Sequence, residues 1–126
     1  MKLLHTMLRV TDLERSIHFY TNMLNMKLDR KIDNVAYRYT LAYLKFSDDE
    51  HAAELELTWN WDEDNYEMGN AYGHIAIGVD DIYASCEALA QKAVEISRAP
   101  GPVAGGKILI AFIRDPDGYP IELIQL

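Results

Sequence analysis

Two histidines head apolar strand patterns in this chain, His5 in "LLHTMLRVTD" and His74 in "AYGHIAIGVDD", and a helix pattern follows each. Two glutamates, Glu56 in "LEL" and Glu122 in "IEL", sit between apolar neighbours near the end of the segment that each histidine opens. Taken singly, a strand histidine or glutamate is most simply a polar side chain facing solvent. An internal repeat sets these four apart. Placing His5 over His74, an offset of 69, brings Leu8 over Ile77, Val10 over Val79, Asp12 over Asp81, Leu13 over Ile82 and Ser16 over Ser85, and leaves His18 and His51 without counterparts. Two imidazoles and two carboxylates, related by a twofold between the repeats, make a nitrogen–oxygen set for a divalent metal. Four protein ligands on a six-coordinate ion leave two positions for adjacent substrate oxygens, which describes a Lewis-acid catalyst rather than a structural site. The carboxylates are then also candidate bases.

These residues need strands to point them. After each histidine, Thr6, Leu8 and Val10 fall on one face, as do Ile75, Ile77 and Val79, while His5, Met7 and Arg9 share the other with His74, Ala76 and Gly78. A helix is expected next in both copies. In the first, Thr11 and Glu14 have capping-box spacing and Leu13, Ile17, Tyr20 and Leu24 recur at helical intervals; in the second, Ile82, Cys86, Leu89 and Ala93 do so. Cys86 thus belongs to a buried stripe, with a structural role. The segments "RYTLAYLKF" and "AAELELTW", then "KILIAFI" and "YPIELIQL", read as returning strands, the last two joined by the turn "DPDG" at 115 to 118. Each module therefore reads βαβββ, an α+β fold of one domain over 1–126, with module 1 at about 1–60 and module 2 at about 71–126.

Composition narrows the partners. With 126 residues, 49% hydrophobic and 25% charged, the chain can bury a core. A net charge of -8 excludes nucleic acid and an anionic membrane as natural partners, because both would repel it. The absence of a long apolar run or an apolar leader, together with a single cysteine, points to a cytoplasmic protein without a disulfide. "GPVAGGK", from Gly101 to Lys107, imitates a phosphate-binding loop, but Ile108 replaces the required Ser or Thr and a strand pattern follows. It reads instead as a flexible glycine-rich loop or a lid beside the metal site.

The stretches "LLHTMLRVTDLERSIHFYTNMLNMKL", "ELELTWNW", "NAYGHIAIGVDD" and "FIRDPDGYPIELIQ" closely resemble the short bacterial form of glyoxalase I (lactoylglutathione lyase), in the vicinal oxygen chelate superfamily. The resemblance spans nearly the whole chain. It implies a swapped homodimer with sites at the interface, where His5 and Glu56 of one chain join His74 and Glu122 of the other. It also implies one divalent metal per site, Ni2+ first, Co2+ or Mn2+ next and Zn2+ less active. The implied reaction converts the hemithioacetal of methylglyoxal and glutathione, the co-substrate, to S-lactoylglutathione through an enediolate; Glu122 is the first candidate to remove the proton and Glu56, its counterpart across the pseudo-twofold, a candidate proton donor, the division of roles between the two carboxylates being open. Arg9 and Asn60 resemble the family's glutathione contacts. Two departures are Asn25 in "LNM", where Gly is usual, and Ala104, where a basic residue is often found, leaving Lys107 or Arg98 to meet a glutathione carboxylate. The alternatives are an extradiol dioxygenase, a thiol-transferring resistance enzyme or a metal-free drug-binding protein; a fourth ligand at Glu56 argues against the first two.

Overall fold

The alternating run after the first histidine forms strand β1 (His5–Arg9), with Leu8 and, just beyond it, Val10 buried while His5, Met7 and Arg9 stay exposed. Helix α1 (Leu13–His18) follows and widens into a π-helical turn at Phe19–Met23. Strands β2 (Lys27–Asn34), β3 (Tyr39–Lys45) and β4 (Glu54–Asn60) complete a mixed sheet of order β1-β4-β3-β2. The computed structural model describes all of residues 1–126 and divides them into two units, Met1–Glu67 and Met68–Leu126. The second repeats the first with β5 (Ile75–Val79), α2 (Ile82–Gln91), β6 (Ile96–Pro102), β7 (Leu109–Arg114) and β8 (Pro120–Gln125), in the order β5-β8-β7-β6. The βαβββ reading holds in both.

In each unit the last strand is inserted between the first and the third. Strand β4 runs parallel to β1 and antiparallel to β3, and β8 relates in the same way to β5 and β7. One sheet face meets the helix. In the first unit Leu8, Leu13, Ile17, Ala42, Leu44, Leu55 and Leu57 are buried there, and in the second Ile82, Cys86, Leu89, Ala111, Ile121 and Leu123. Burial pushes the Cys86 thiol up, so it is held as a small neutral hydrophobe.

Several local expectations need correction. The first helix is capped by Asp12, not Thr11: Asp12 is extended at φ -140 and its side chain accepts from the Arg15 amide at 3.0 Å. Its counterpart Asp81 caps α2 in the same way, accepting from Ala84. Thr11 instead accepts from the Arg15 guanidinium. The helical pattern that runs to Leu24 does not continue as an α-helix, because the Thr21 hydroxyl takes the Ile17 carbonyl at 2.8 Å and the amide of Leu24 reaches back five residues to Phe19. Leu24 is half-buried, and Met26 fills the core beside it. Ala93 lies outside α2 in the left-handed region, φ 61, and is exposed. Asn25 adopts φ 60, the conformation expected of it in place of Gly. Strands β2 and β6 were not located from the sequence; β6 includes Gly101 and Pro102, so the glycine-rich loop begins only at Val103.

Candidate active site

The helix-free face of each sheet carries the polar residues picked out by the repeat. In the first unit Met7 pairs with Glu56 across the parallel β1·β4 ladder, which puts His5 two residues back on the same face. The result is a diagonal contact: His5 Nε2 lies 2.9 Å from Glu56 Oε2. In the second unit Ala76 pairs with Glu122, and His74 Nε2 lies 3.1 Å from Glu122 Oε2. The carboxylates are the sheltered partners, with side chains 10% and 16% exposed against 39% and 42% for the histidines. Each histidine rests edge-on against an aromatic ring of the neighbouring strand, Tyr43 at 5.8 Å for His5 and Phe112 at 5.3 Å for His74.

Both separations are ordinary hydrogen-bond lengths. They also suit two adjacent ligands of one ion. With bonds of about 2.1 Å, neighbouring donors stand about 3.0 Å apart on an octahedral ion and about 3.4 Å apart on a tetrahedral one. The donor types and spacings therefore fit a six-coordinate divalent metal. Each unit offers one His–Glu pair, and no group of three or more His, Cys, Asp or Glu side chains gathers in the chain.

The same diagonal step recurs further along β1 and β4. Arg9 pairs with Thr58, so Asn60 bears the same relation to Arg9 that Glu56 bears to His5. Arg9 and Asn60 thus share the face of the metal-binding candidates, about 13 Å along the strands from them. Asn60 is oriented by donating through Nδ2 to the Tyr66 hydroxyl at 3.0 Å. Lys107 is exposed in the loop after β6. Arg98 is committed elsewhere, donating to the carbonyls of Ile110 and Pro102, both at 2.9 Å, where β6 and β7 fall out of register. Both of its terminal nitrogens thus already hold backbone carbonyls.

Tyr43 and Thr58 are the neighbours that reading the sequence did not single out. The Thr58 hydroxyl donates to Glu56 Oε1 at 2.9 Å, and Tyr43 stands opposite Glu56 in register on the neighbouring strand. Burial first, and then the nearby carboxylate of Glu56, push the Tyr43 phenol up. The repeat carried the signal. Extended to these positions, it sets Phe112 over Tyr43 and Ile124 over Thr58, an apolar residue for a polar one each time.

Residues 2–123 match the Glyoxalase/Bleomycin resistance protein/Dioxygenase superfamily. The lactoylglutathione lyase of Haemophilus influenzae is 59% identical over 125 residues, covering 99% of this chain and 93% of the relative. That of Salmonella typhimurium is 54% identical with the same coverage. Among solved structures, glyoxalase I from Zea mays superposes with a TM-score of 0.94 at 46% identity over 99% of this chain, which spans only 44% of the longer maize chain. The trypanothione-dependent glyoxalase I of Leishmania major gives 0.88 at 42%, covering 99% of this chain and 86% of its own. With the repeated four-stranded units and their paired histidines and glutamates, these likenesses show that the chain belongs to the glyoxalase I (lactoylglutathione lyase) family.

Proposed function

We infer that this chain is a lactoylglutathione lyase that removes methylglyoxal, and that its chemistry is carried by His5, Glu56, His74 and Glu122 around a divalent metal. The activity is that of its close relatives, and it acts on the hemithioacetal of methylglyoxal and glutathione to give S-lactoylglutathione. One observation carries the residue assignment: two His–Glu pairs at repeat-equivalent positions, 2.9 and 3.1 Å apart, each matching one edge of an octahedral ligand set.

A bound divalent ion supplies Lewis acidity toward the two substrate oxygens and so acidifies the C–H between them. Glu122 takes that proton, being held by its histidine without a counterpart of the Thr58 hydroxyl that donates to Glu56, and returns it to the neighbouring carbon. Glu56 stays in place as ligand on the opposite side. Arg9 pairs with a glutathione carboxylate and Asn60, oriented by Tyr66, hydrogen-bonds the peptide-like groups. Lys107 meets a second carboxylate. Both Arg9 and Asn60 act at the distance from the metal pair that an extended thiol cofactor spans.

The site is completed across a homodimer, His5 and Glu56 of one chain meeting His74 and Glu122 of the partner subunit. Each unit holds half of a four-donor set, and Leu3, Leu4, Phe46, Ile108 and Leu126 are exposed apolar side chains of the kind an interface covers. Ni2+ is the activating ion, with Co2+ and Mn2+ able to replace it and Zn2+ less effective, because zinc has no preference for the six-coordinate state that four protein ligands and two substrate oxygens require.

The test is to strip the protein with a chelator, reload one ion per chain and follow S-lactoylglutathione formation. Glutathione and trypanothione are compared as the thiol. Activity is expected with Ni2+ and glutathione; zinc-loaded protein as active as nickel-loaded protein would remove the coordination argument, and preference for trypanothione would replace the thiol.

A further inference from the structure

We propose that Thr58 is a positioning residue that holds Glu56 as a metal ligand through a single oxygen, its hydroxyl occupying Oε1 while Oε2 is left to the ion. The proposal rests on the reading of Glu56 as a ligand given above.

The two oxygens of Glu56 have different partners. Oε2 lies 2.9 Å from His5 Nε2, the spacing of two donors on one ion, whereas Oε1 accepts from the Thr58 hydroxyl at 2.9 Å. Thr58 follows Glu56 by two residues on β4, so alternation puts both side chains on one sheet face. Both residues are buried, Thr58 to 9% exposure and Glu56 to 7%. In such a place neither the hydroxyl nor the carboxylate oxygen gives up its partner cheaply, because water is not at hand to replace it. The bond therefore restrains rotation of the carboxylate and opposes its binding through both oxygens. That matters for the chemistry: a glutamate that spent two oxygens on a six-coordinate ion would take one of the positions a chelating substrate requires.

The repeat provides an internal control. Glu122 shows Oε2 to His74 Nε2 at 3.1 Å, as Glu56 does to His5, but the residue two places further along β8 is Ile124, which has no donor to offer. A β-branched side chain suits a strand, and both units have one at this place. What Thr58 adds to the branch is a hydroxyl bonded to the ligand oxygen that the histidine does not face. Hydrogen bonds to a coordinating carboxylate orient it and tune its affinity, and their loss typically weakens metal binding about 10- to 100-fold.

The experiment measures affinity for Ni2+ and Co2+, by competition with a chromophoric chelator, in the full-length wild type, Thr58→Val, Thr58→Ser, Glu56→Ala and the Thr58→Val, Glu56→Ala double variant. The visible bands of the Co2+ forms are recorded in parallel. Thr58→Val, which keeps the shape and removes the donor, is expected to weaken binding about tenfold and to alter the Co2+ spectrum. Thr58→Ser, which keeps the donor, should stay within about threefold of wild type with the wild-type bands. In the Glu56→Ala background Thr58→Val should change affinity by less than about twofold, because the group it acts through is gone. An unchanged Kd and spectrum for Thr58→Val, with Glu56→Ala clearly weakened, overturns the role of Thr58. So does a tenfold loss that Thr58→Ser shares or that persists without Glu56, which would mark a merely structural effect. Should Glu56→Ala itself leave affinity unchanged, the ligand assignment fails, and the role of Thr58 falls with it.

Discussion

Glu56 and Glu122 are the same residue in two copies of one module, yet their surroundings differ, the Thr58 hydroxyl donating to Glu56 where Ile124 stands two residues from Glu122. Glu122→Gln should retain the fold and the metal while kcat falls at least about 100-fold, since an amide cannot take the proton; near-normal turnover of a metal-replete Glu122→Gln protein would end its assignment as base. Arg9→Ala should raise KM about tenfold with kcat little changed, because a charge-assisted contact to a remote carboxylate serves ground and transition states alike. A fall in kcat at constant KM would place Arg9 in the chemistry instead. At this scale the sequence was most informative where two copies agree: His5, His74, Glu56 and Glu122 all lie on the sheet faces that alternation and the repeat assign to them. It was least informative where the copies differ. Tyr43 looks like an ordinary strand residue until its register against Glu56 is known, since no local pattern fixes the pairing of those two strands, and Thr58, two residues along β4 from Glu56, is set apart only by the Ile124 at its place in the second copy.

Among the elements, the two helices are legible through their buried stripes, and their ends are not. Thr11 and Asp12 are both competent caps by type, and only the extended backbone of Asp12 decides between them. Asp12→Ala and Asp81→Ala should each lower stability by about 1 kcal/mol in urea unfolding, whereas Thr11→Ala should cost less, because Thr11 contacts an arginine side chain rather than a helix amide. At the other end of α2, Ala93 is a side-chain-bearing residue in the left-handed region, an arrangement that costs about 1 kcal/mol. Ala93→Gly should therefore raise stability, and Asn25→Gly, at a position already filled by a residue tolerant of φ 60, should raise it less. Equal gains at the two sites would show that strain at Ala93 is relieved elsewhere. Strand β2 escaped the sequence pattern because "KLDRKIDN" lies at the sheet edge and stays exposed along almost its whole length, so no apolar alternation marks it.

For the whole molecule, the expected dimer makes a statement about mixtures. Inactive His5→Ala and His74→Ala proteins, combined and allowed to exchange subunits, should recover about a quarter of wild-type activity, because half of the dimers are mixed and one site in each collects both defects while the other is intact. No recovery after demonstrated exchange would locate all four ligands in one chain. The repeat made the two modules visible from the sequence, but not how four strands order themselves within each. That order, with the last strand inserted between the first and the third, also sets a sequence of events in time. Strand β1 is made about 50 residues before β4 and must wait, unpaired along that edge, until β4 is inserted beside it, one of the slower kinds of loop closure. The hairpin of β2 and β3 can form long before. During refolding from denaturant, the absorbance of Co2+ captured by the protein should therefore lag behind the recovery of sheet and helix signals. With the four donors shared between modules as proposed, the ion would report the last step of assembly, after both modules have closed, and would take no part in starting them.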